Sequence, residues 1–493
     1  MNVLLVMPSY NMFKPDNRSY HISMGMMYIS AYLKTKRDNV YCLNLNHYTP
    51  DSLRTYLERG NFSVVCTGGL FTDFDPIKYV IDETKKYNPN IKVVVGGAIG
   101  SAHPEFALQA LGADYIVIGE GEITLSRLLD AIEFNTDCRE VPGIAFKDNG
   151  HFVQTPAARP IEDLSVIPLP DYDSFEYGKY IEQVERNQWG YNHVNENVKF
   201  AFLVTGRDCP SKCTFCFRSL GGNRVRLRSV ESVMEEIIFL KEKYGITGIN
   251  ILDDVFAINR ERVFKFCELV KPLNLTWCLQ MRVTMANEEM LTAMKDAGCY
   301  MVSYGIESGS QTVLKSMKKG ITVGAIDKAL AITRKVGLVI QGNFIFGDPA
   351  ENYDTVNETV DFYHRHLDYN INVLMLRPYP GTELYFNLLK EGKIRNLLHF
   401  WKNEAVNEDG TTINMTKLND KDFYTLLNSF VSRTFDKMYG TILSHNPSPN
   451  KRDEAFIEVK CPVCRTDSSG LLKRWVDTMA ICPHCSAKFP LPM

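Results

Sequence analysis

The chain has no uninterrupted apolar run close to the roughly 18 residues that a membrane-crossing helix needs, so no membrane span is expected. It has no surplus of positive charge. Against 55 Lys and Arg stand 58 Asp and Glu, a formal net charge of −3 over 493 residues. That balance leaves no electrostatic footprint for nucleic acid. The opening MNVLLVMPSY has no basic stretch ahead of its apolar residues and soon turns polar. It does not read as a secretion signal, and a cytoplasmic location is expected. Low complexity and fixed-period repeats are absent too. Hydrophobic residues make up 45% and charged residues 23%. This is an ordinary globular mixture, with chain enough for about two to four domains.

Cysteine is what the chain has in excess. Seven of its 13 cysteines fall in two tight groups, Cys209, Cys213 and Cys216, then Cys461, Cys464, Cys482 and Cys485. In a reducing compartment, clustered thiols point to metal or redox chemistry rather than to disulfides. The isolated ones, Cys42, Cys66, Cys138, Cys267, Cys278 and Cys299, sit among apolar or mixed neighbours and read as small buried hydrophobes.

The first stretch alternates short apolar runs (2–7, 39–45, 62–67, 91–95, 114–118) with amphipathic patterns such as 25–34 and 76–87. Strands alternating with helices predict a doubly wound, Rossmann-like parallel sheet over residues 1–140. Ligands of such sheets sit outside the carboxyl ends of the strands, where this sequence is polar or glycine-rich: 9–20, 68–75, 96–101 and 119–122. A hairpin over 143–154 and a proline-bearing linker fill 141–195. A second alternation follows, with strands predicted at 199–205, 246–252, 275–280, 300–305, 338–346 and 372–377. Six such units predict a partial (β/α)6 TIM-type barrel over 196–400, with its chemistry at the C-terminal ends of the strands. A helical tail and linker (401–455, the linker at 444–451) and a small four-cysteine unit (456–493) complete the α/β reading.

Cys209, Cys213 and Cys216 form a C-x3-C-x2-C array directly after a predicted strand. Three thiolates on one loop can ligate three irons of a [4Fe–4S] cluster and leave the fourth iron open to a small molecule. A zinc ion with one outside ligand is the less favoured reading.

With this array the chain resembles the radical S-adenosylmethionine (SAM) enzymes. Phe215 matches the aromatic position before the third cysteine, which in the family packs near the adenine of SAM. Asp253 and Asp254 follow the second barrel strand, where the family holds the SAM amino group. Arg282 follows the third. Glu307 and Ser308, in Gly305–Gly309, match positions that approach the SAM ribose and carboxylate. Phe344–Gly347 and Arg377–Glu383 also fit family patterns. Ala350, before Glu351, departs from the usual glycine.

The N-terminal stretch resembles the cobalamin-binding domain fused to one subgroup of that family. The matching residues are Gly96 and Gly97, then Gly119, Glu120 and Gly121, then the segment IEDLSVIPLPD at 161–171. The D-x-H-x-x-G motif that supplies a lower histidine ligand in other cobalamin proteins is missing, and His21, His47 and His103 lack its context. The resemblance covers residues 1 to 390. It implies a [4Fe–4S] cluster, SAM, cobalamin, and an electron donor such as flavodoxin or ferredoxin. The implied reaction is reductive SAM cleavage to a 5′-deoxyadenosyl radical, with methyl transfer through the corrinoid to an unactivated carbon of a small biosynthetic intermediate. The sheet crevice and the barrel mouth would then have to face one another.

The last group reads C-x2-C-x17-C-x2-C, a zinc-ribbon or rubredoxin-like spacing that gathers four thiolates around one Zn2+ or one iron. Zinc would be structural, whereas iron could carry an electron. Lys473 and Arg474 read as a solvated charge pair. Three other readings stay open from sequence. One is cobalamin-independent radical SAM chemistry: cyclisation, epimerisation, dehydration or rearrangement. Another is RNA modification, disfavoured by the charge and by the lack of a second three-cysteine array. The third is a non-enzymatic metal-binding module.

Overall fold

In a computed structural model, residues 1–9, 22–49, 51–183, 198–218, 224–367, 369–404, 413–434, 440–447, 454–473 and 479–491 are described. The expected loop 9–20, apart from Ser9, lies outside them, as do His21 and Arg474.

The N-terminal sheet holds β1 (Val3–Met7), β2 (Val40–Asn44), β3 (Val64–Gly68), β4 (Lys92–Gly96), β5 (Tyr115–Val117), β6 (Ile144–Asp148) and β7 (His151–Gln154). Their order is β2-β1-β3-β4-β5-β6-β7. The first five are parallel, and β6 and β7 add antiparallel at one edge. Every residue of β1 and β3 is buried, as continuous Val- and Leu-rich runs covered on both faces require. Val3, Leu5 and Cys66 face one helical layer with Met27 and Leu128. Leu4, Val6 and Val65 face the other with Leu53, Leu57 and Val80. This alternation is the doubly wound arrangement itself.

The second sheet is all parallel: β8 (Phe200–Leu203), β11 (Gly248–Ile251), β12 (Thr276–Met281), β13 (Cys299–Glu307), β14 (Val339–Phe346) and β15 (Asn370–Met375). They run in chain order from one edge to the other, the open six-stranded barrel expected. Between β8 and β11 lies a two-residue ladder, β9 (Gly206–Arg207) with β10 (Arg226–Leu227). The helices between barrel strands are closed at both ends. Ser229 caps Val230–Tyr244, for example, and Gly245 ends it in the left-handed conformation.

Four assignments differ from the sequence reading. The hairpin at 143–154 is not part of a linker, because it extends the N-terminal sheet past residue 140. The stretch after it is not an exposed linker either. Tyr172, Phe175, Tyr177 and Tyr180 are fully buried, and Tyr172 Oη donates to the buried Glu236 of the barrel domain. These aromatics strap the two sheets together. The predicted linker at 444–451 begins instead as strand β16 (Thr441–Pro447), paired antiparallel with β17 (Glu454–Lys460), which pairs with β18 (Asp467–Lys473). Pro447 is tolerated because β16 is an edge strand and ends there. The tail expected to be helical over 401–443 has its α-helix only at Asp420–Arg433 among the described residues. The small unit closes with β19 (Met479–Ile481) and β20 (Lys488–Pro490).

Candidate functional site

The cysteine loop follows β8 and β9 at the C-terminal end of the barrel. Cys213 is buried, Cys209 half-buried and Cys216 exposed. The loop is anchored through its backbone. Thr214 N donates to Met317 O at 3.0 Å, Leu384 N to Thr214 O at 3.2 Å, and Cys216 N to Cys213 O at 3.3 Å. Desolvation pushes the Cys216 thiol up to about 11, and Asp254, Cys213 and Cys209 add to that rise. Such a thiol ionises when a cation binds it. Among the described residues, the one set of at least three ligating groups within single-ion spacing is the C-terminal four-cysteine set. Asp208, which leads into the loop, holds φ +72, a strained conformation for a non-glycine residue.

Beneath the loop, four elements interlock. Arg282 Nη1 donates to Ser211 Oγ at 2.7 Å, and its Nη2 donates to Lys319 O. Lys319 Nζ pairs with Glu307 and stands 5.8 Å from the centre of the Phe215 ring. Glu307 has φ +66, the second strained non-glycine position at this end of the barrel. The two aspartates separate. Asp253 is buried and accepts from Thr205 N at 2.6 Å and from Thr205 Oγ1. Burial pushes its carboxyl up to about 6. It braces the ends of β8 and β11, whereas Asp254 is exposed beside Cys216. Ser308 is buried, with its hydroxyl 2.9 Å from Thr359 Oγ1.

At the C-terminal ends of β1, β3, β4 and β5 lies a cavity of about 490 Å3. Gly96, Gly97, Gly119, Glu120 and Gly121 all line it, with Met7, Met24, Tyr28 and Leu70. Gly97 needs to be glycine. Its φ is +82, and a Cβ there would meet Gly69 O at 2.7 Å. Thr67 also lines the cavity, and its buried Oγ1 has no hydrogen-bond partner among the described residues. A largely apolar ligand with a polar group to meet Thr67 Oγ1 suits this glycine-floored, largely apolar crevice. No histidine is among the lining residues described. His47 pairs instead with Glu176, and His103 Nδ1 meets Tyr385 Oη at 3.0 Å.

The crevice is completed by the other domain, since Val204 and Arg207 of the barrel also line it. The contact is an ion network. Glu120 Oε1 accepts from Arg207 Nη1 at 2.6 Å, and Glu122 Oε1 from Arg207 Nη2 at 2.6 Å. Glu120 Oε2 accepts from Arg226 Nη1 at 2.8 Å and from Ile161 N at 2.8 Å. Arg226 in turn grips Asp208 at 2.5 Å. Burial alone would raise the Glu120 carboxyl, but the hydrogen bonds from Arg226, the Ile161 N–H and Arg207 outweigh it and hold it below its ordinary value. The sequence reading placed Glu120 against a cofactor. The structure adds that both of its oxygens also clamp the domains. Arg207, Asp208, Arg226 and Lys319 were not anticipated. The position of Arg207 and Asp208 just before Cys209 was a signal for the first two, whereas Arg226 and Lys319 had none.

Family models match two segments of the chain, the radical SAM superfamily at residues 203–363 and the B12-binding domain at residues 18–129. A Pyrococcus horikoshii protein named an uncharacterized methyltransferase is 35% identical over 61% of this chain and 64% of its own length. The chain thus spans just under two thirds of that relative. The anaerobic magnesium-protoporphyrin IX monomethyl ester cyclase of Rubrivivax gelatinosus is 29% identical over 79% of this chain and 70% of its own length. Among solved structures, the radical SAM methyltransferase TsrM of Kitasatospora setae, with cobalamin and a [4Fe–4S] cluster bound, shares the fold. Its TM-score is 0.67 at 20% identity, covering 79% of this chain and 78% of TsrM.

Proposed function

Because this chain belongs to the radical SAM superfamily and carries a B12-binding domain ahead of its barrel, we propose that it is a cobalamin-dependent methyltransferase acting on a carbon of a small biosynthetic intermediate. The observation that carries the reading is the shared crevice, since residues from the glycine loops of the sheet and from the chain just after the first barrel strand, Val204 and Arg207, line one cavity. A corrinoid held there would have Arg207, two residues before Cys209, in its wall.

When bound, the cluster with SAM supplies a 5′-deoxyadenosyl radical, and the corrinoid supplies a transferable methyl group. The chain's own residues bind and orient these groups. Cys209, Cys213 and Cys216 offer three thiolates. Arg282 and Lys319 fix the loop from below and bring positive charge to it. Asp254 is the acid left open to an ammonium group, and Phe215 offers a ring to an adenine. Glu307, held by Lys319, keeps an acceptor at the end of β13. At the domain contact the buried Phe71 stacks at 5.6 Å on the half-buried Tyr379, which helps to keep water out of the junction.

The test is product analysis. Anaerobic, reconstituted protein with hydroxocobalamin, SAM, a flavodoxin or dithionite reductant and a candidate substrate should form S-adenosylhomocysteine alongside 5′-deoxyadenosine. With 5′-deoxyadenosine as the sole SAM product, in the presence of a substrate that is consumed, the reading passes to non-methylating chemistry such as the cyclisation named for the Rubrivivax relative.

A further inference from the structure

Cys461, Cys464, Cys482 and Cys485 bring their sulfurs within 4.8 Å of one another. Cys461 Sγ lies 3.7 Å from Cys485 Sγ, and Cys464 Sγ lies 3.5 Å from Cys482 Sγ. A tetrahedral ion with bonds of about 2.3 Å to sulfur would hold its ligands about 3.8 Å apart. The two halves of the site repeat one backbone pattern. Cys461 N donates to Thr466 O and Arg465 N to Cys461 O; Cys482 N donates to Ala487 O and Ser486 N to Cys482 O. Arg465 and Ser486 both sit at left-handed φ, +63 and +57. Two matched knuckles therefore face each other across one ion-sized space.

Where this unit docks decides what it can do. Ile481, next to the ligand Cys482, packs on Cys278, Met301 and Val339. These three are register partners across β12, β13 and β14. Their chain neighbours Trp277, Leu279, Val302 and Ile340 belong to the main core with the surrounding helices. Side chains alternate along a strand, so Cys278, Met301 and Val339 face the inside of the barrel. They stand near the strands' N-terminal ends, opposite the cysteine loop. Ser486 Oγ donates to Gly337 O at 2.7 Å, just before β14 begins. From Val339 to Phe346, β14 covers about 23 Å of strand.

We propose that the four-thiolate unit is a zinc-held plug for the open N-terminal mouth of the barrel, and not an electron relay to the catalytic cluster. An ion in this unit sits at the pole away from the site where electrons are needed. Four thiolates close the coordination sphere, which suits a structural ion. Among the described residues the unit's own core is seven buried side chains, two of them the cysteines Cys461 and Cys482 and one large, Phe489, too few to hold the fold without a metal. Bound metal fixes Cys482, and through it the adjoining Ile481 that seals the floor.

The test combines metal analysis with amide hydrogen exchange on the full chain, purified anaerobically without chelator. About one zinc per chain is expected in addition to the cluster iron, and Cys482→Ser should lose it. In that variant, exchange should quicken at the barrel floor, in segments 276–279, 299–302 and 338–341. Ile481→Ala should retain zinc and show the same quickening, which separates docking from misfolding of the unit. Iron in the four-thiolate site, with slower reduction of the catalytic cluster when that iron is removed, would overturn the proposal. So would zinc binding with floor exchange unchanged in both variants.

Discussion

Glu120 of the sheet domain and Arg207 of the barrel meet at 2.6 Å, and Arg207 stands two residues before the cluster cysteine Cys209. The second Glu120 oxygen reaches Arg226, which holds Asp208. One carboxylate on the rim of the crevice is thus tied directly to Arg207 and through Arg226 to Asp208, the two residues that lead into Cys209. The glycine-floored crevice and the cysteine loop share one ion network.

Removing that carboxylate leaves two guanidinium groups with lost partners in a largely buried place. A fully buried charge left uncompensated costs about 3–5 kcal/mol, and the loss here is smaller, because Arg207 keeps Glu122 and Arg226 keeps Asp208. Glu120→Ala should lower the urea midpoint and also weaken hydroxocobalamin retention on gel filtration. Wild-type values for both would show that the network is ornamental.

The same group gives a pH dependence. Glu120 is held below its ordinary pKa, so its contribution is present above the unfolded value of about 4.3 and is lost as pH falls through the folded value. The destabilisation caused by Glu120→Ala should shrink in acid. Denaturation midpoints of both proteins at pH near 7 and at about pH 2–3, well below the unfolded value, check this, and an equal gap at both would contradict it.

Glu351 behaves oppositely. Burial pushes its carboxyl up to about 8, with Thr355 Oγ1 donating to it at 3.0 Å. The folded protein keeps the proton while the unfolded chain ionises above about 4.3, so stability falls with rising pH until about 8 and then levels. Glu351→Gln should remove that slope. Its melting temperature should rise relative to the wild type as pH moves from about 5 to about 8, an advantage read by thermal scans.

Gly97→Ala tests the crevice floor. The added Cβ meets Gly69 O at 2.7 Å in a left-handed conformation, so the two glycine loops must part. Corrinoid retention should drop well below the wild-type level while SAM cleavage by the reconstituted cluster persists. Undiminished retention would move the corrinoid away from these loops.

Cys213→Ala tests the other pole of the site. SAM cleavage should vanish while circular dichroism stays close to that of the wild type, because the loop's backbone anchors at Thr214 remain. Turnover in this variant would remove Cys213 from the cluster.

The sequence carried the architecture because both sheets are built from buried apolar strands separated by helices, and the cysteine spacings carry their chemistry on their face. It was weakest where tertiary contact overrides local pattern. Pro447 and Pro449 suggested a linker, yet the chain before them pairs as an edge strand. The tyrosines at 172, 177 and 180 lie among polar residues, and nothing local says that all three are buried between domains. At the site, Asp253 and Asp254 look equivalent in sequence, but only their strand-end geometry makes one a brace and leaves the other exposed. Ser308 was a motif residue whose hydroxyl is consumed by Thr359. Arg226 had no local signal, because its partners lie 18 and 106 residues away.

The central claim is that one cavity, completed by both domains, holds a corrinoid beside the cluster loop. Its most direct measurement is the visible spectrum and the corrinoid and metal content of anaerobically purified, cluster-reconstituted protein, incubated with hydroxocobalamin and freed of excess by gel filtration. The account predicts about one corrinoid per chain in the wild type and a clear loss in Gly97→Ala. A wild-type protein that carries its iron–sulfur cluster and retains no corrinoid would contradict it.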